Sequence, residues 1–217
     1  MAACSDNTEA PSVLQGFQES FVSALMKEET KSPSRKPRSD VARNRELLLQ
    51  AAREVFGSGS AGASLEAVAR RAGVGIGTLY RHFPTREALF ETVYRYEVDQ
   101  LAALAETLAK EAGPVEALRQ WLQAQVQLVA TKKGMLAALA LAAHAPADLY
   151  AYSFERLTAA IGILLNRAVD AGELRPDISP EEMLRTLIGL CYLHDQPGWQ
   201  ATVVRLVNVF VDGLLVS

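Results

Sequence analysis

The sequence is short of cysteine and of long apolar runs, and each shortage removes a class of protein. Its 217 residues contain two cysteines, Cys4 and Cys191, too few for the disulfide framework of a small secreted scaffold. The longest apolar stretch, Gly134 to Ala143, is about half of the roughly 20 residues that a membrane-spanning helix needs. No membrane partner is therefore expected. The opening residues MAACSDNTEA lack the basic start and apolar core of a signal peptide, which makes a cytoplasmic protein the simplest expectation. Excess positive charge is missing too: 22 Lys+Arg against 25 Asp+Glu leave a net charge of −3. On its face that balance argues against a partner as acidic as DNA. What is present is an apolar share of 49%, which excludes collagen-like and disordered chains and suits a globular protein of one or two domains.

The average conceals a division along the chain. Residues 1–34 hold 2 basic and 5 acidic side chains, residues 35–95 hold 11 and 6, and residues 96–217 hold 9 and 14. A compact cationic segment followed by a longer acidic one predicts a small polyanion-binding module joined to a domain with another task.

The apolar period is helical nearly everywhere, and no segment alternates as a strand does, so the fold class expected is all-α. Residues 1–37 read as a flexible tail whose "KSPSRKPR" forms a solvated basic arm, with an arm inserted into a DNA groove as the competing reading. Val41, Leu48, Ala52, Val55 and Phe56 line a first helix, ended by the loop Gly57 to Ser60. Leu65, Val68, Ala69 and Ala72 line a second, capped by Ser64 and closed by Gly73. Ile76, Leu79 and Phe83 give the inner face of a short third helix, and Thr85 caps a long fourth. Gly113-Pro114 opens a fifth helix to about Lys132, followed by a separate short one over Gly134–Ala143 and a break at His144-Ala145-Pro146. A long helix over Ala147–Ala171, one started by Ser179-Pro180-Glu181-Glu182 and running to about Asp195, and a last one from Trp199 to Leu215 complete the chain.

The functional signal is the string "SLEAVARRAGVGIGTLYRHFPTREAL" at residues 64–89. Two short amphipathic helices around a tight Gly73-Val74-Gly75 turn, in a cationic segment, have the form of a helix-turn-helix, whose second helix enters the major groove of DNA while the first braces it. With Ile76, Leu79 and Phe83 inward, Gly75, Gly77, Thr78, Arg81 and His82 stay outside or at the rim, and Tyr80 lies between the faces, free to be core instead. Two glycines strip bulk from the side that would meet the groove. Arg70 and Arg71 read as a solvated cationic face, since phosphate contacts position without specifying. The Gly73-x-Gly75-x-Gly77 spacing is no nucleotide loop, because it follows a helix and lacks a βαβ frame.

This string resembles the DNA-binding domain of the TetR (tetracycline-repressor-like) family of bacterial transcriptional regulators. The resemblance rests on Ala72-Gly73-Val74, Gly77-Thr78-Leu79-Tyr80, Phe83 and Arg86-Glu87-Ala88-Leu89, over about residues 40–95. It implies a helix-turn-helix domain over 38–84 and a helical effector and dimer domain over 85–217. "AGELRPDISPEEMLRTLIGLC" looks like the C-terminal domain of the SbtR-like subgroup. By family role, Thr78, Tyr80 and His82 contact the operator, Arg86 clamps a phosphate and Ser64 donates to another. Gly75 and Ile76 depart from positions often polar in relatives, so Ile76 either touches a thymine methyl or packs inward. The implied partners are a pseudo-palindromic double-stranded DNA operator, a second copy of the chain and a small-molecule effector, in a bacterial cytoplasm beside the nucleoid.

In the acidic body, Trp121, Met135, His144, Tyr152, Phe154 and Tyr192 are the candidate effector contacts, each with plain core packing as the competing reading. Leu184, Leu187, Ile188, Cys191, Val203, Leu206, Val207 and Phe210 make broad stripes on the last two helices. The resemblance implies that these form a dimer bundle. Cys191 and His194, at i, i+3, could supply two metal ligands, but a closed zinc site takes four and no second pair is evident. No nucleophile, base and orienting group stand at recognisable spacing, so no catalytic residue, metal or cofactor is assigned. The competing class is a helical small-molecule carrier or enzyme with no DNA-dependent role; a third reading is a regulator without effector.

Overall fold

A computed structural model of the chain describes residues 37–57, 63–139, 141, 147–193 and 196–216. The chain divides into two compact units, Met1–Ser39 and Asp40–Ser217, and the fold described below belongs to the second. Among the described residues there are eight helices: α1 (Pro37–Gly57), α2 (Leu65–Arg71), α3 (Ile76–His82), α4 (Arg86–Glu111), α5 (Pro114–Ala138), α6 (Ala147–Asp170), α7 (Pro180–Leu193) and α8 (Trp199–Asp212). Strand geometry among them is confined to one isolated bridge, Leu174 to Leu215. The basic arm up to residue 36, most of the loop after Gly57, His144, His194 and Asp195 lie outside the described residues, while Pro37 and Arg38, expected in the arm, begin α1.

Local chemistry sets several helix ends. The Ser64 hydroxyl accepts from the Ala67 N–H at 3.1 Å, and Thr85 does the same for Ala88 at 3.1 Å. Ser179 and Glu182 form a reciprocal capping box: the Ser179 hydroxyl accepts from the Glu182 N–H at 3.2 Å while the Glu182 carboxylate accepts from the Ser179 N–H at 2.9 Å. Gly172, at φ 72°, closes α6 in the left-handed region, where a side chain would be strained.

The sequence predicts a break near Lys132 and a separate helix over Gly134–Ala143. The structure instead carries α5 through both to Ala138. Gly134 is not a breaker. A Cβ built there would lie 2.7 Å from the Phe56 carbonyl oxygen, so the missing side chain lets α5 press against the backbone of α1.

α4 packs against α5 and α6, α5 also against α6, α7 and α8, and α7 against both α6 and α8. The core follows these contacts, from Leu48, Ala52 and Phe56 in α1 through Leu89, Phe90 and Val93 in α4 to Val203, Val207 and Val211 in α8. The end of the body is stitched by backbone bonds: the Arg175 N–H donates to the Leu214 carbonyl at 2.9 Å and the Val216 N–H to the Glu173 carbonyl at 3.1 Å.

Candidate nucleic-acid interface

The turn between α2 and α3 is built by Gly73. Its φ of 69° lets the Val74 N–H reach back to the Ala69 carbonyl at 3.0 Å and its own N–H to the Arg70 carbonyl at 3.2 Å, the two bonds of a Schellman motif. That geometry ends α2 and turns the chain into α3. From α3, Leu79 is buried, and Phe83 just beyond is buried too, the latter beneath the Arg45 guanidinium 5.6 Å from its ring centre. These two residues anchor the recognition helix.

The opposite face is open. Ile76 is 39% exposed and Tyr80 44% exposed, and Gly75, Gly77 and Arg81 are exposed, with Thr78 and His82 half-buried at the rim. The expectation that Ile76 shares the inner face with Leu79 is thus corrected: it stands outward at the first residue of α3, three residues before the anchor. The core alternative for Tyr80 is likewise overturned. A Cβ at Gly75 or Gly77 would meet nothing within 4 Å, so neither glycine is required by packing inside the chain. Both leave bare backbone on the surface that a helix-turn-helix presents to DNA.

The flanking groups are more committed than the sequence suggests. Besides capping α2, the half-buried Ser64 faces Glu66, whose carboxyl is held below its ordinary value by a backbone N–H and then by the Ser64 hydroxyl. Arg71 pairs with Glu54 of α1, bracing α2 rather than standing free, while Arg70 is exposed. Arg86 donates through Nη1 to the Leu139 carbonyl at the end of α5, at 3.2 Å. Its remaining guanidinium N–H groups are still available to an anion, because arginine carries five donors. Its sequence neighbours gave no hint of this bond, which spans 53 residues.

In the body the candidate effector residues separate. Trp121 is fully buried and its indole N–H donates to the Leu101 carbonyl at 2.8 Å; Met135 is fully buried as well. The Tyr152 hydroxyl donates to Asp99 at 2.6 Å, and Arg95 lies 4.6 Å from its ring centre. Phe154 is half-buried, stacked on Tyr150 and covered by Arg185 at 4.4 Å. Tyr192 is 44% exposed and faces the Lys133 ammonium at 5.6 Å. Tyr94, which sequence reading overlooked, is buried between Phe90 and Lys132, and burial pushes its phenol up to about 12. Glu97, also overlooked, is pushed up by burial while its Arg53 partner opposes the shift.

The expected dimer stripes are corrected by burial. Leu184, Leu187, Cys191, Val203 and Val207 pack into the chain's own core, because α7 lies on α5, α6 and α8 and consumes those faces. Burial pushes the Cys191 thiol up to about 12. Ile188 and Phe210 are half-buried, whereas Leu206 is open, together with Leu193 at 79% and Val209 at 67% exposure. Among the described residues no group of His, Cys, Asp or Glu could hold a metal ion, and no helix is long and apolar enough to cross a membrane.

Comparison with known proteins agrees with this geometry. Residues 48–93 match the family described as bacterial regulatory proteins, tetR family, and residues 113–216 match the transcriptional regulator SbtR-like, C-terminal domain. The crystal structure of a TetR transcriptional regulator from Streptomyces coelicolor is similar at 40% identity over 79% of this chain and 98% of that one, with a TM-score of 0.67. A TetR transcription regulatory protein from Mycobacterium vanbaalenii shares 33% identity over 83% of this chain and 100% of its own, with a TM-score of 0.61. An HTH-type transcriptional regulator of Staphylococcus aureus is 32% identical over 79 residues, a match that spans 36% of this chain and 41% of that protein. The chain belongs to the TetR family of bacterial transcriptional regulators, with a helix-turn-helix DNA-binding domain and an SbtR-like C-terminal domain.

Proposed function

We propose that the protein is a homodimeric repressor that holds a pseudo-palindromic operator and is released from it by a small molecule bound among the C-terminal helices. The observation that carries the reading is the outer face of α3. Its two packing-free glycines, outward Ile76 and Tyr80 and exposed Arg81 form a surface that the chain does not use for itself. A major groove takes such a helix, and Ser64, Thr78, His82 and Arg86 stand at its margins as phosphate or base contacts.

A second copy is supported by the exposed apolar side chains of Leu193, Leu206 and Val209 on the last two helices, where Ile188 and Phe210 are half-buried. Two-fold pairing there would set the recognition helices about 34–36 Å apart, one turn of DNA. Release is supported by the joints between reading head and body: the Arg86 bond to the end of α5 and the close approach of Gly134 to Phe56. An effector shifts the equilibrium only if it favours the arrangement of those joints that no longer fits DNA.

A gel-shift assay against the DNA flanking the protein's own gene, repeated over a salt series, tests the reading. The expected result is a sequence-selective complex whose affinity falls steeply with salt. Equal binding to scrambled DNA would sink it.

A further inference from the structure

Between α4, α5 and α6 the chain leaves polar groups without work. Lys132 of α5 is half-buried, its ammonium 5.1 Å from the centre of the Tyr94 ring, and among the described residues it has no carboxylate or carbonyl acceptor. The carboxylates of α4 that could neutralise it are engaged elsewhere: Glu91 with Arg95, Glu97 with Arg53, and Asp99 with Arg156 and Tyr152. Phe90 stacks on Tyr94 with ring centres 5.7 Å apart, giving the ammonium an apolar floor. A half-buried cation with no counter-charge is costly, and burial pulls the Lys132 ammonium below its ordinary value.

A buried orphan lies on the same face of the same helix. Gln125 is 2% exposed, and its side-chain carbonyl oxygen has no hydrogen-bond partner. It precedes Lys132 by two helical turns, about 10 Å along the axis. The Trp121 bond to Leu101 and the Tyr152 bond to Asp99 set the register of the three helices. Lys132 then falls in the layer of Tyr94, and Gln125 in the layer between Tyr94 and Leu101. Buried polar atoms are almost always paired in folded proteins, so a cation and an acceptor left open along one face mark a place for a ligand.

We infer that α4, α5 and α6 enclose a site for an amphipathic anion, with a carboxylate-like or sulfonate-like head on Lys132, an apolar body against Phe90 and Tyr94, and a hydrogen-bond donor reaching Gln125. This rests on the reading that a small molecule binds among these helices, and it names that molecule's chemical class.

The test uses a matched pair of fluorescent probes on the full-length protein, 8-anilinonaphthalene-1-sulfonate and N-phenyl-1-naphthylamine, which share their rings and differ by the sulfonate. The sulfonate probe is expected to bind once per chain, about tenfold or more tighter than the neutral one. Lys132→Gln should bring it down to the neutral probe's affinity, while Lys132→Arg retains most of the difference. Both variants should melt no lower than the wild type. Equal affinity for the two probes, no binding of either, unchanged sulfonate binding in Lys132→Gln, or failure of that variant to fold would each overturn the anion site. A gel shift run with the sulfonate probe separates the two readings. Binding through Lys132 that leaves the operator complex intact refutes release and leaves the anion site standing.

Discussion

The smallest side chains carry the most specific argument. Gly77 lies inside α3, where glycine weakens a helix by about 0.5–1 kcal/mol relative to alanine, yet a Cβ there would touch nothing of the chain. Gly77→Ala is therefore expected to raise thermal stability slightly while lowering operator affinity about tenfold or more, as read by melting and gel shift together. An equal or improved affinity would show that DNA does not approach that backbone. Trp121 makes the opposite case. Trp121→Phe removes the indole bond to the Leu101 carbonyl from a fully buried site and should cost about 1–3 kcal/mol in urea unfolding. Tyr94 gives a pH dependence. Its phenol titrates at about 12 in the folded chain against 10.0 in the unfolded one, so the contribution is complete below pH 10.0 and is lost as pH rises through about 12. Alkaline melting curves should therefore fall less steeply in Tyr94→Phe than in the wild type.

Helix ends were legible in the sequence because their causes are local. Ser64, Thr85 and Ser179 each sit three residues before the N–H that they accept, and Gly73 and Gly172 each take the left-handed conformation that only glycine adopts cheaply. The caps should be worth about 0.5–2 kcal/mol apiece, so Thr85→Ala is expected to lower the unfolding midpoint accordingly. Which residues of α3 stay exposed was legible from its apolar spacing, apart from Ile76, whose place at the first turn of a seven-residue helix periodicity alone does not resolve. Gly134 was misread because its reason is tertiary: the Phe56 carbonyl that fills the space of its side chain stands 78 residues earlier in the chain. Gly134→Ala should push α5 away from α1 and cost about 1–3 kcal/mol, measurable by urea unfolding. Five residues of the α7 and α8 stripes, Leu184, Leu187, Cys191, Val203 and Val207, turn into the chain's own core for a related reason. An apolar stripe states that a face is covered, and is silent on whether its own chain or another copy covers it.

At the scale of the molecule, charge and apolar surface divide the labour. The cationic part holds α1 to α3 and the start of α4; the acidic part holds the rest of the body, where Lys132 is a cation without a counter-charge among the described residues. If Leu193 and Val209 seat the second copy, Leu193→Glu with Val209→Glu should sediment as a folded monomer. Operator affinity should then fall at least about 100-fold, because each reading head would bind alone. A double variant that stays dimeric would move the interface elsewhere. The stitched end of the body bears on handling the protein. The segment after α8 is a working part of the fold: its Leu214 is buried, as is Leu174, and the Arg175 N–H has its acceptor there. Shortening the chain at Gly213 would open the corner between α6 and α7 to water and to proteases. An affinity tag placed there belongs beyond Val216, on a spacer, where it adds to the seam without unpicking it.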